Sequence, residues 1–96
     1  MAVKKTQNKP SLKKAEGPQR FWVKDGRILS DLRDLKDALA EMAEETYKYH
    51  ANKIKNDFAK WIEEVLENKK LAEELKKVKT KIAALKKVAA ELKKYQ

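Results

Sequence analysis

Large apolar residues recur three and four positions apart along most of this chain, the spacing that stacks side chains on one face of an α-helix. Leu32, Leu35, Leu39 and Met42 form the first such series. Ser30 stands ahead of it with a hydroxyl suited to capping, and Asp31 sits favourably against the positive helix end, which predicts a helix over about residues 31–42. Tyr47, His50, Ala51 and Ile54 make a second face, interrupted at Asn52. A short helix ending in a turn near Lys53 to Lys55 follows from it. Phe58, Trp61, Ile62, Val65 and Leu66 give the clearest stripe, opposite Lys60, Glu63 and Glu64 and behind Asn56 as N-cap. Asn68 ends that helix or caps the next, in which Leu71, Ala72, Leu75 and Val78 face inward. Thr80 caps the last helix, whose inward residues are Ile82, Leu85, Val88, Ala89 and Leu92.

Ahead of the helices, Phe21-Trp22-Val23 and Ile28-Leu29 flank an Asp25-Gly26 pair, a strong hairpin signal because Asp and Gly tolerate positive φ. Residues 1–19 offer only Val3 and Leu12 as large apolar side chains, too few to offset the entropy of ordering. The pattern therefore predicts an all-α protein, a compact bundle of four to five short helices with a small N-terminal β-hairpin. A disordered basic arm over residues 1–19 is expected to precede a helical domain over residues 20–96. Trp22, Phe58 and Trp61 all lie within apolar patterns and read as core. Tyr49 and Tyr95 face away from the stripes and are the aromatic candidates for surface contacts.

The stretches FWVKDGRIL, LRDLKDALAEM, YHANKIKNDFAKWIEEVL and LAEELKKVKTKIAAL resemble a family of small uncharacterised prokaryotic domains. The resemblance runs from Phe21 to about Leu85 and is most specific at Asn56-Asp57-Phe58 with Trp61. It implies a single domain, commonly preceded by a Lys-rich arm, and carries no established activity. Gly-Asp often follows the position of Leu66 in such proteins, whereas Glu67-Asn68 stand here.

Charge changes the picture more than any motif. The 96 residues carry a formal +9, and it is segregated: +5 over residues 1–20, −2 over 21–66 and +6 over 67–96. Lysine pairs seven residues apart, Lys69-Lys70 with Lys76-Lys77 and Lys86-Lys87 with Lys93-Lys94, stack on one side of their helices. A flexible polycation beside a basic helical face repels itself unless an anion relieves it, which points to nucleic acid, DNA or RNA, as partner. The residues expected to contact phosphates are Lys4, Lys5, Lys9, Lys13, Lys14 and Arg20 of the arm, with Lys76, Lys77, Lys86, Lys87, Lys93 and Lys94 of the bundle. Such contacts give affinity with low sequence specificity, as in a cytoplasmic protein associated with nucleoid or ribosome. The alternative is a protein–protein interaction module, using Asp34, Asp37 and Glu41 on the first helix while the lysines maintain solubility.

Enzymatic chemistry finds no support in the residues. There are two glycines, so no Gly-rich phosphate loop, and no nucleophile is accompanied by a His-Asp pair. His50 is the single histidine and has no second His or Cys at ligand spacing, so no metal or other cofactor is expected. It reads as a core or cap histidine. Asp57, seven residues on, is within spatial reach of it but is better explained, with Asn56, as a helix start. Cysteine is absent, and no apolar run approaches the length of a membrane span.

Overall fold

The computed structural model of the protein describes residues 12–95. β1 (Phe21–Trp22) and β2 (Ile28–Leu29) pair antiparallel, with Phe21 opposite Leu29 and Trp22 opposite Ile28. In the connection Gly26 takes a φ of 104°, which a residue with a side chain rarely adopts, and Asp25 Oδ1 accepts the Arg27 N–H at 3.1 Å. The Asp-Gly pair thus makes the tight turn expected of it. Alternation along the ribbon buries Phe21, Val23 and Leu29 and leaves Trp22 and Ile28 exposed. Trp22 therefore departs from the expectation that it belongs to the core.

Five helices follow: α1 (Leu32–Glu41), α2 (Glu44–His50), α3 (Asp57–Glu64), α4 (Lys69–Lys77) and α5 (Lys81–Leu92), the last continued by a 3₁₀ turn over Lys93–Tyr95. This is the helical bundle with a small hairpin that the apolar pattern predicts. Three caps fall where expected. Asn56 Oδ1 accepts the Ala59 N–H at 3.0 Å, Asn68 Oδ1 the Leu71 N–H at 3.1 Å, and Thr80 Oγ1 the Ala83 N–H at 3.1 Å.

Both asparagines also reach across the bundle. Asn56 Nδ2 donates to the Leu75 carbonyl at 3.2 Å, and Asn68 Nδ2 donates to Glu91 Oε2 at 2.8 Å. The start of α3 is thereby tied to the end of α4, and the start of α4 to the end of α5, which makes both pairs antiparallel. At the other end of α5, Lys81 Nζ donates to the Met42 carbonyl at 2.7 Å and closes the C-terminal end of α1. Leu35, Ala59, Ile62, Ala72 and Val88, drawn from four helices, are wholly removed from solvent. Phe58 stacks on Phe21 with centroids 5.1 Å apart, so the hairpin covers one end of this core.

Four further expectations are corrected. Asp31, not Ser30, is the N-cap of α1: its Oδ1 accepts the N–H groups of Arg33 and Asp34, at 3.0 and 3.1 Å. Ser30 still belongs to the hairpin exit, where its own N–H donates to Asp34 Oδ2 at 2.8 Å. Ile54 does not continue the face of α2, because the helix stops at His50 and leaves Ile54 93% exposed. Ile82 is 59% exposed, since α5 turns Ala84, Val88 and Leu92 inward once Lys81 is drawn to α1. Tyr95 is half-buried against the core, whereas Tyr49 is exposed as expected.

The inner end of the predicted arm is also reassigned. Ala15 is buried, its N–H donates to the Ser30 carbonyl at 2.7 Å, and Leu12 packs on the core. A 3₁₀ turn over Gly17–Gln19 then presents the Gln19 carbonyl to Trp61 Nε1–H at 2.9 Å. Residues 12–19 of the arm expected over residues 1–19 therefore pack on the domain, while its residues 1–11 lie outside the described residues.

Candidate nucleic-acid interface

Of the lysines singled out by spacing, Lys4, Lys5 and Lys9 lie outside the described residues. Three of the others are already paired with carboxylates. Lys13 meets Glu67 at 3.5 Å, Lys94 meets Glu91 at 3.1 Å, and Lys76 lies between Glu63 at 3.6 Å and Glu73 at 3.4 Å. The charge of Glu73, then its hydrogen bond, holds the Lys76 ammonium above its ordinary pKa. Lys14, Arg20, Lys77, Lys86 and Lys87 are exposed, and the Arg20 guanidinium bonds back to the Gly17 carbonyl. Lys93 lines a shallow hollow against α1 with Arg33, Lys36 and Asp37. The acidic side of α1 is partly engaged within the fold: Asp34 accepts the Ser30 N–H, and Glu41 pairs with Arg27 at 2.8 Å.

A denser basic site stands elsewhere. An open groove of about 1160 Å³ runs along the end of α2, the loop to α3, the outer face of α3 and the α4–α5 connection. Lys48, Lys53, Lys55, Lys60, Lys76 and Lys79 line it, against Asp57, Glu63 and Glu64. Lys55 pairs with Asp57 and Lys76 with Glu63, whereas Lys48, Lys53, Lys60 and Lys79 have no acidic partner among the described residues. The site is thus net cationic.

Its rim is built by Asn52. The side-chain oxygen accepts the N–H groups of Ile54 and Lys55, at 3.0 and 3.2 Å, and Nδ2 donates to the Lys48 carbonyl at 2.9 Å. An isolated bridge between Ala51 and Asn56 closes the base of the loop. These bonds satisfy a backbone that leaves helical geometry and project Lys53, Ile54 and Lys55 outward.

His50 joins this loop to the hairpin. The Lys24 backbone N–H donates to His50 Nε2 at 3.0 Å, and a backbone N–H is a donor only, so the neutral ring carries its proton on Nδ1. That proton is shared with Asp57 Oδ2 at 2.9 Å, and Lys55 Nζ reaches the same oxygen at 3.1 Å. Burial alone raises the Asp57 pKa, but the hydrogen bonds from His50 and Lys55, with the charge of the Lys55 ammonium, outweigh it and hold the carboxyl below its ordinary value. The His50 ring lies among Phe21, Phe58 and Tyr49, at centroid distances of 5.2, 5.3 and 4.9 Å. On the exposed Tyr49 ring sit two ammoniums, Lys24 at 4.2 Å and Lys55 at 4.7 Å from the centroid. His50 is the core histidine expected from its helical face, and its Asp57 partner serves as helix start and acceptor at once. Among the described residues no three His, Asp or Glu side chains gather as a metal site would require.

A family model described as a family of unknown function, DUF5752, matches residues 46–95. The chain belongs to that family. The match runs from within α2 past the end of α5, and takes in the groove and the His50–Asp57 pair but not the hairpin. No curated protein and no solved structure matches the chain significantly. Of the groove's lysines, sequence spacing had marked only Lys76. The turn at Asn52 brings together lysines of α2, the loop and α3 that no single helix holds, and Lys79 joins them from the α4–α5 connection.

Proposed function

We propose that this protein binds nucleic acid through its phosphates, with the groove between the α2–α3 loop and the α4–α5 connection as the main contact surface. The observation that carries the reading is the set of four groove lysines, Lys48, Lys53, Lys60 and Lys79, without acidic partners in the described structure. Ammoniums gathered on one concave surface repel one another, and a phosphate backbone relieves that repulsion while releasing its own counterions. The basic N-terminal residues Lys4, Lys5 and Lys9 add a second source of phosphate contacts. Binding of this kind has little sequence selectivity and suits a nucleoid- or ribosome-associated protein of a prokaryotic cell. No catalytic step is assigned to it.

Fluorescence anisotropy with duplex DNA and structured RNA over a salt series tests this reading. With roughly 4 to 6 phosphates engaged on a duplex, log K should fall with log salt at a slope of about −4 to −5. Changing Lys48, Lys53, Lys60 and Lys79 to Gln should flatten that slope more than changing Lys86, Lys87, Lys93 and Lys94. Absence of binding to either ligand below about 100 μM at low salt, weak even for non-specific association, removes the proposal. A protein-interaction module is the second reading, favoured by exposed Ile54 and Ile82. It becomes the better one in that event.

A further inference from the structure

The cationic groove carries one large apolar side chain that the fold itself does not use. Ile54 lies beyond the last residue of α2, lines the groove, and is 93% exposed, so it adds nothing to the core. Nor does the turn need it. Turns favour glycine, asparagine, aspartate and serine, whereas a β-branched side chain suits strands and buried surfaces. A lone apolar residue on a loose surface loop is ordinary. Ile54 differs in being held.

Asn52 holds it from three sides. Its side-chain oxygen accepts the N–H groups of Ile54 and Lys55, its backbone N–H donates to the Lys55 carbonyl at 2.8 Å, and the Ala51–Asn56 bridge closes the loop beneath. The Ile54 backbone is therefore ordered before any ligand arrives, and its branched side chain has few rotamers to lose on burial. Lys53 and Lys55 precede and follow it in the chain, and both line the groove, as do Lys48, Lys60 and Lys79. A preordered apolar tip thus stands among ammoniums. Phosphates alone would use the ammoniums and leave the isoleucine idle.

We infer that Ile54 is a wedge that enters a base step of duplex DNA while lysines of the groove hold the flanking phosphates, so that the protein bends the DNA it binds. This rests on the nucleic-acid reading above and narrows its ligand class to deformable duplex. An apolar side chain entering from the minor groove part-unstacks the step and bends the duplex, which brings more of the backbone to the protein's cations. The narrow minor groove of B-form DNA keeps both phosphate strands close to the entering residue, whereas that of A-form RNA is wide and shallow. Burial of the isoleucine offsets the cost of unstacking, and that cost is lowest at pyrimidine–purine steps. A mild preference for such steps follows without any hydrogen bond to a base edge. A lipid bilayer is the rival surface for an apolar tip, but it is engaged by a broad apolar face, not by one residue.

The test uses two duplexes of about 20 base pairs, dye-labelled at both ends. One carries a TA step at its centre; the other pairs an all-purine strand with its all-pyrimidine complement and has no pyrimidine–purine step. The full chain should raise energy transfer between the ends of the first at saturation, and should bind it about fivefold more tightly than the second. Ile54→Ala should abolish both the rise and the preference, with the salt slope unchanged because no charge is lost. Its melting temperature should equal the parent's, since Ile54 lies outside the core. Ile54→Leu, which keeps an apolar wedge, should retain the bend. Lys53→Gln should instead reduce the salt slope by about 0.9 on both duplexes, the share of one phosphate.

Undiminished bending and preference in Ile54→Ala would overturn the wedge and leave the broader reading standing, as would binding of duplex DNA or structured RNA without any bending. No binding of any of these probes at low salt would overturn both. If Ile54→Ala changes neither duplex yet abolishes binding to vesicles of phosphatidylcholine and phosphatidylserine, the tip serves a membrane surface and the inference falls.

Discussion

Asn56 uses both ends of one amide, its oxygen on the Ala59 N–H and its nitrogen on the Leu75 carbonyl. Aspartate caps helices as well as asparagine does but has no N–H to give, and its charge would face that carbonyl. Asn56→Asp should therefore lower stability by about 1–3 kcal/mol in urea unfolding, and an unchanged midpoint would show that the reach to α4 contributes nothing. Glu67 presents the opposite case. It has a φ of 57°, in the left-handed region where a side chain crowds the following carbonyl. Glu67→Gly should raise stability by about 1 kcal/mol, the relieved strain exceeding the exposed Lys13 ion pair that is lost. Asp57 links this scale to pH. Its folded pKa is depressed, so its contribution is present above the ordinary aspartate value of about 3.9 and is lost as pH falls through the lower folded value. Acid titration of the melting temperature should show that loss below about pH 4, and Asp57→Asn should lack it.

At the scale of elements, local signals and tertiary contacts divided the outcome. The N-caps at Asn56, Asn68 and Thr80 were legible because each is a short-range competition between side chain and backbone, decided within four residues. The exit of α2 was not, since Ile54 fits a helical period that Asn52 breaks with its own hydrogen bonds. Nor was the rotation of α5, which depends on Lys81 meeting Met42 across the bundle. The segment 12–19 shows the same limit: it contributes little apolar area, yet it holds Ala15 and accepts the Trp61 N–H, neither visible in composition. A chain starting at residue 20 should consequently melt below one starting at residue 12, since the Trp61 donor loses its partner, the Gln19 carbonyl. Equal melting temperatures would return residues 12–19 to a dispensable arm. Trp61→Ala should be more severe than either truncation, at about 3–5 kcal/mol, because it empties a core site in a domain this small.

For the whole molecule, net charge and its segregation were readable, but the surface on which the charge converges was not. Heptad spacing relates lysines within a helix, whereas the groove draws Lys48, Lys53, Lys60 and Lys79 from α2, a loop, α3 and the α4–α5 connection. Their proximity exists only after folding and works against it. Replacing Lys53, Lys60 and Lys79 by Gln should therefore raise the melting temperature at low salt while weakening nucleic-acid binding. The gain should shrink as salt is added, since screening relieves the same repulsion in the parent protein. The two effects must appear together if the groove retains its charge for a polyanion. A variant that binds less tightly without becoming more stable would mean that the lysines are well solvated individually, and a variant that gains stability with unaltered binding would place the phosphate contacts elsewhere on the molecule.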